Sequence, residues 1–254
     1  MSGVVWITGG SSGLGRQSAL EFAKRGWRVA VTARSEDELK ELEGEAADFL
    51  GDITAYPGDV TDPKRMASIV SEIETDLGAI STAVLNAGTY RPMTGEDFRA
   101  EVIRELFDVN VMGSAHPMEQ LIPRMIVRGA GKIYVVGSVS GYRGLPKAAA
   151  YGFTKAGLIN MMESLRAELT PKGVTVGIIN PGFIDTPLTQ KNDFPMPFLM
   201  PVDKAAEQLV DGVLDGRFEV AFPRTFVWIL KLVRMLPYAL YFPLVRRVTR
   251  DRES

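Results

Sequence analysis

The stretch Gly3-Val4-Val5-Trp6-Ile7-Thr8-Gly9-Gly10-Ser11-Ser12-Gly13-Leu14-Gly15 decides the fold. An apolar, β-branched run ends on a threonine, turns through closely spaced glycines and leads into GRQSALEFAKRG (15–26), which reads as a helix. Strand, glycine turn and helix form the first half of a βαβ unit, and the pattern repeats. WRVAVTAR (27–34) reads as a second strand, and SEDELKELEGEAADF (35–49) as a helix opened by Ser35 with Glu38 at capping-box spacing. DITAYPGDV (52–60) holds a short third strand, and DPKRMASIVSEIETDLG (62–78) is a helix with Pro63 in its first turn. STAVLNAG (81–88), KIYVVGS (132–138) and VTVGIINPG (174–182) read as buried strands, with helices near 96–128 and 147–170 between them. This alternation predicts an α/β fold, a doubly wound parallel sheet covered on both faces through right-handed crossovers.

In such a Rossmann-like sheet, ligands bind outside the carboxyl ends of the strands. The chemically loaded residues all fall at those ends: Thr8-Gly9, Arg34, Asp59, Asn86-Ala87-Gly88, Ser138 and Pro181-Gly182. The loop is T-G-x-x-x-G-x-G rather than G-x-G-x-x-G. Its Gly9, Gly13 and Gly15, with Ser11, Ser12 and Leu14 between them, allow a tight turn against a pyrophosphate, and the helix N-terminus offers free N–H groups. A strand–helix turn that is merely rich in glycine would read the same way. At the end of the second strand, Val31-Thr32-Ala33-Arg34-Ser35 carries no carboxylate before Glu36. An acidic residue there would bond the ribose hydroxyls of NAD, whereas Arg34 and Ser35 suit a 2′-phosphate, so NADP(H) is expected. Asp59, followed by Val60, is placed to accept from an adenine amino group, and a solvated turn aspartate would look alike.

Ser138 ends a strand thirteen residues before Tyr151, and Tyr151 and Lys155 stand at i and i+4, on one face of a helix. A phenol titrates near pH ~10, and a neighbouring ammonium favours its ionised form. Tyr151 is therefore expected to give a proton to a carbonyl oxygen as hydride arrives, or to take one from an alcohol, with Ser138 bonding the same oxygen.

The set TGGSSGLG, Asp59-Val60, Asn86-Ala87-Gly88, Asn110, Ser138, Tyr151-x-x-x-Lys155 and Pro181-Gly182-Phe183-Ile184-Asp185-Thr186 resembles the short-chain dehydrogenase/reductase family over about residues 3–190. The resemblance implies Ser138 as oxyanion donor, Tyr151 as acid/base and Lys155 as the ribose-binding residue that tunes it. It implies that Asn110 holds a water in a proton relay behind the lysine, that Asn86 to Gly88 pack beside the cofactor, and that Thr186 helps orient the nicotinamide carboxamide. Pro181, Gly182 and Ile184 complete the cofactor contacts. It further implies B-face hydride transfer, no metal, and a homodimer or homotetramer built through the long helices. The function expected is an NADPH-dependent oxidoreductase of carbonyls and secondary alcohols. A non-catalytic NADP(H)-binding scaffold or redox sensor on the same fold is the alternative.

Composition narrows the chemistry. The chain has 254 residues, no Cys and one His, which removes thiol nucleophiles, disulfides and Cys-ligated zinc. A formal charge of −2 argues against nucleic acid as a partner. MSGVVWITGG has no signal-peptide pattern, so a cytoplasmic protein is expected. His116, the methionines at 112, 118, 125, 161 and 162, and the acidic clusters at 36–48 and 72–76 read as structural.

Two segments remain. After Thr186 a lid of about residues 187–202 holds Phe194, Met196, Phe198, Leu199 and Met200, which with Phe183 suggests a lipophilic substrate. Residues 1–222 then form the catalytic domain and 223–254 a basic, amphipathic helical extension with charge +5 from Arg224 to Ser254. The apolar run inside it, LPYALYFPLV, is too short for the ~20 residues of a membrane span. The extension either packs on the protein or lies at a membrane interface, which would make the protein membrane-peripheral.

Overall fold

The computed structural model describes residues 3–191 and 196–250. Its seven strands are β1 (Val4–Thr8), β2 (Arg28–Thr32), β3 (Ile53–Ala55), β4 (Ile80–Leu85), β5 (Gly131–Val136), β6 (Val174–Pro181) and β7 (Glu219–Phe222). They form one parallel sheet in the order β3-β2-β1-β4-β5-β6-β7. The order reverses between β1 and β4, which opens a crevice at the carboxyl ends of those two strands. Every residue of β1 is buried, as expected of a central strand covered on both faces.

The helices are α1 (Gly13–Lys24), α2 (Glu36–Glu45), α3 (Pro63–Asp76), α4 (Ala100–Phe107), α5 (Gly113–Arg128), α6 (Ala149–Leu169), α7 (Val202–Leu214), α8 (Arg224–Arg234) and α9 (Tyr238–Arg250). One core, on the α3, α5 and α6 face, collects Trp6, Met66, Ile69, Leu121, Met125, Leu158 and Met162. The other, on the α1, α2 and α7 face, collects Val5, Ile7, Phe22, Leu39, Leu209 and Phe222. Three of the methionines expected to be structural, Met118, Met125 and Met162, are core. His116 sets Nδ1 3.0 Å from the Val60 carbonyl. The Ser35 hydroxyl accepts from Glu38 N, and Asp62 caps α3 ahead of Pro63.

Three expectations need correction. The helix expected near 96–128 is α4 and α5 joined by a π turn at Asp108–Met112. The extra residue in that turn shifts the phase of hydrogen bonding, which apolar periodicity does not reveal. The first helix begins at Gly13, two residues before the expected start. A seventh strand, β7, went unread because its short Val220-Ala221-Phe222 run merges with the apolar stretch that follows Pro223.

Candidate active site

Two polar stitches shape the crevice. The Thr8 hydroxyl accepts from the backbone N–H groups of Asn86 (3.1 Å) and Ala87 (3.2 Å). The Asn86 amide answers by donating to the carbonyls of Thr8 (3.1 Å) and Gly9 (3.0 Å). The glycine loop is thereby tied to the end of β4. Gly9 has φ +67°, and a Cβ there would lie 2.8 Å from Ala87 Cα, so no other residue fits.

A cleft of about 770 Å³ follows these strand ends. Of the residues singled out in the sequence, Gly9, Ser11, Ser12, Gly13 and Leu14 line it on the loop side, and Arg34, Ser35, Asp59 and Val60 at the far end. Asn86, Ala87 and Gly88 form its floor, with Ser138, Tyr151 and Lys155 on one wall and Pro181, Gly182, Ile184 and Thr186 on the other. Gly15 does not line the cleft. It is buried under the loop, where a side chain would strike the Gly9 carbonyl and the Asn86 amide. Asn110 also stands behind the wall, fully buried.

Asn110 sits in the π turn. Its Oδ1 accepts from Thr89 N (2.7 Å), and Nδ2 donates to the Thr89 carbonyl (3.0 Å) and to Thr154 Oγ1 (3.1 Å). Thr154 in turn donates to the Tyr151 carbonyl at 2.7 Å. The asparagine thus locks α6 to the loop after β4 that carries Gly88 and Thr89. A Cβ on Gly88 would lie 3.3 Å from Asn110 Oδ1 and 3.6 Å from Lys155 Nζ, so the lysine head, the asparagine and the bare backbone meet at one point.

Lys155 Nζ donates to the Val136 carbonyl at 2.8 Å and lies 5.5 Å from the centre of the Tyr151 ring. The Ser138 hydroxyl accepts from Ser140 N at 3.1 Å. Burial pushes the Tyr151 phenol up to about 12, against a downward pull from its hydrogen bond with Ser138. Burial likewise pushes Lys155 down to about 8. The expected acidification of Tyr151 by Lys155 is therefore not a property of the bare chain. Desolvation disfavours the charged form of both groups, and the ammonium is turned to the Val136 carbonyl.

Arg34 enters no ion pair among the described residues, whereas Arg16, also near the loop, is held by Glu45. Asp59 Oδ1 accepts from the N–H (2.9 Å) and hydroxyl (2.8 Å) of Thr61, which makes it a turn-forming residue whatever else it does. Burial would raise its carboxyl, but the Thr61 bonds and the Arg34 charge hold it below the usual carboxylate range.

Sequence reasoning missed Thr89, Thr154 and Tyr90. Tyr90 meets the Tyr151 ring edge-on with centroids 5.1 Å apart. Thr154 could have been read, since it directly precedes the lysine on the same helix and is buried with it. Tyr90 and Thr89 follow a glycine in a loop and gave no signal. Phe226 of α8 was missed too: it stacks on Phe183 (5.6 Å) and on Phe198 (5.8 Å). A bridge pairs Ile184, just before the segment 187–202, with Met200 near that segment's end. Phe194 of the lid and the chain end at 251–254 lie outside the described residues.

A doubly wound sheet, a T-G-x-x-x-G-x-G loop at the order reversal and a Ser-Tyr-Lys wall define a class of dinucleotide-fold oxidoreductase. Comparison with known proteins makes this specific: the sequence model of the short chain dehydrogenase family matches residues 3–195, and the chain belongs to that family. It is 36% identical over 242 residues to an uncharacterized oxidoreductase of Myxococcus xanthus, covering 95% of this chain and 96% of the other. It is 31% identical to 11-beta-hydroxysteroid dehydrogenase-like 2 of Arabidopsis thaliana, covering 92% and 78%. A short-chain dehydrogenase from Sphingobium yanoikuyae, solved in complex with NADPH, superposes with TM-score 0.79 at 25% identity, covering 93% of this chain and 97% of that one.

Proposed function

We propose that this oxidoreductase interconverts a lipophilic carbonyl and its secondary alcohol with NADP(H). The observation that carries the reading is that one cleft joins Arg34, which enters no ion pair among the described residues, to the Ser138–Tyr151–Lys155 wall. The residues fit a dinucleotide. The positive-φ Gly9 and Gly13 leave backbone bare along the loop, and Arg34 with Ser35 offers donors for a 2′-phosphate. Asp59 and Val60 would border the adenine, Asn86 to Gly88 and Lys155 the ribose, and Pro181, Gly182, Ile184 and Thr186 the nicotinamide. That cofactor, when bound, supplies the hydride.

The protein's own task is the proton. With its phenol up at about 12, Tyr151 holds its proton throughout the neutral range and serves as the acid for a carbonyl oxygen, which Ser138 also bonds. A charged Lys155 stabilises the phenolate left behind, and Lys155 loses that charge near pH 8. Carbonyl reduction is therefore expected to weaken as pH rises through about 8. Asn110 holds the wall in register and stands where a water behind the lysine could pass the proton on.

The likeness to a relative named 11-beta-hydroxysteroid dehydrogenase-like 2 and the apolar lid support a lipophilic substrate. In this reading residues 1–222 are the catalytic domain, with 187–202 as lid. Residues 223–254 are an extension that brings a cytoplasmic protein to a membrane surface, and copies associate through the long helices as a homodimer or homotetramer. The test is NADPH oxidation over a panel of ketones, with steroid, acyl and sphingoid ketones included. Oxidation with at least one supports the reading. Tight NADPH binding with no oxidation across the panel would return the fold to a scaffold or sensor.

A further inference from the structure

The C-terminal helices are apolar on two sides. The inner side of α8 buries Val227 and packs Phe226 and Leu230 on the core. The outer side presents Trp228, Leu232 and Met235, at i, i+4 and i+7, with 66%, 58% and 73% of their surface exposed. Tyr238, Leu240, Phe242 and Leu244 extend this exposure along α9, and Phe198 and Leu199 are exposed as well, with Phe198 stacked on Phe226 at the start of α8. A surface helix ordinarily turns polar residues outward, so a second apolar face calls for a second apolar medium.

Charge says which medium. Residues 224–250 carry six Lys or Arg and no Asp or Glu. Arg224, Arg234 and Arg247 are exposed. Facing a second copy through this surface would bring two sets of those cations together. An anionic lipid surface offers both the opposite charge and the apolar interior. No helix among the described residues is long and apolar enough to cross a bilayer, so the pair would lie in the interface plane.

The surface is wired to the active site. Arg143, between Ser138 and Tyr151 in sequence, sets Nη1 3.0, 2.7 and 2.6 Å from the carbonyls of Val233, Arg234 and Leu236 at the end of α8. Its guanidinium lies 3.9 Å from the Tyr241 ring centre and 5.0 Å from that of Tyr238. The Tyr241 hydroxyl donates to the Gly144 carbonyl. On the inner side, Phe226 abuts Gly182, which lines the cleft.

We infer that the outer face of α8 and α9, with the lid tip, docks on an anionic lipid surface, and that the substrate passes from that surface along Phe198, Phe226 and Phe183 into the cleft. The second half rests on the reductase reading. The experiment is flotation of the full chain with vesicles of phosphatidylcholine alone and of phosphatidylcholine with phosphatidylglycerol. It is paired with NADPH oxidation on a water-soluble ketone and on a long-chain ketone dissolved in the vesicles. The full chain is expected to float with the anionic vesicles only, less so as salt rises. Trp228→Glu/Leu232→Glu should abolish flotation, and Arg246→Glu/Arg247→Glu should weaken it ~10-fold or more. Both variants should keep wild-type turnover of the soluble ketone and lose turnover of the vesicle-borne one.

Absence of flotation, or flotation unchanged by either pair of substitutions, overturns docking. A salt-insensitive dimer that Trp228→Glu/Leu232→Glu dissociates would assign the face to a second copy and overturn it as well. Docking with vesicle-borne turnover unaffected by the substitutions overturns the path. If no ketone is reduced at all, the reductase reading and the path fall together, while flotation still decides docking.

Discussion

The cleft and the C-terminal helix pair are built on opposite plans. In the cleft, the contacts close between strand ends that the repeating strand–helix pattern already brings together: Thr8 and Asn86, 78 residues apart, exchange hydrogen bonds at the ends of the neighbouring β1 and β4, and Gly9 admits the backbone turn. In the helix pair, the anchoring contacts run to side chains and loop carbonyls that no motif or strand pattern marks. Arg143 caps α8, Tyr241 reaches Gly144, and Glu219 accepts from Lys231, Tyr142 and Asn180. The first region can be read from spacing; the second cannot. The same contrast separates a surface closed by the protein's own residues from one left for an outside partner.

Four substitutions press on this comparison. The largest effect is expected from Tyr151→Phe, which should cut turnover ~10²–10⁴-fold, the usual range for a general acid, and leave NADPH affinity within a factor of about 2. Retained turnover would move the proton to another group. Next, Arg34→Leu should weaken NADPH binding ~10–100-fold, as for a lost charge-assisted hydrogen bond, with NADH binding nearly unchanged. Calorimetric titration with both nucleotides checks it, and equal losses would deny the 2′-phosphate contact.

Lys155→Met probes the buried charge. The folded-state value of Lys155 lies below its unfolded value of 10.5, at about 8. Its charging therefore opposes folding fully below pH 8, and that penalty is relieved as pH rises toward 10.5. The variant without nucleotide should unfold at higher denaturant near neutrality, by ~1–3 kcal/mol, with the gap closing in alkali. The smallest effect belongs to the helix pair. Glu219→Gln breaks the bond to Lys231 and should destabilise by ~1–2 kcal/mol at neutral pH. Burial alone would raise the Glu219 carboxyl, but the bonds from Lys231, Tyr142 and Asn180 hold it below 4.5. Its stabilisation is present above that value and fades in acid, so the difference from wild type should shrink there.

The legibility of the sequence follows the same division. Six of the seven strands announced themselves as apolar runs ending in glycine or a polar residue, and all the cleft residues except Gly15 and Asn110 line it directly. Gly15 misled because a glycine kept for backbone packing and one kept for a ligand look identical in a motif. The π turn around Asn110 was invisible because its single extra residue leaves the apolar pattern intact. The upward push of burial on Tyr151 in the chain without nucleotide was not legible either, since i and i+4 says nothing of what burial does to both charges. Phe226 gave no signal because only the unread pairing of β7 with β6, Pro181 against Phe222, brings the start of α8 to Gly182.

The most direct measurement is a single turnover of NADPH carrying deuterium at the transferable position of its nicotinamide, with an excess of a ketone from the panel and mass analysis of the alcohol. A reductase built on this cleft delivers the deuterium to the carbinol carbon and an unlabelled solvent proton to the oxygen. Failure of the chain to take up the dinucleotide, or an alcohol without deuterium on carbon, would contradict the account.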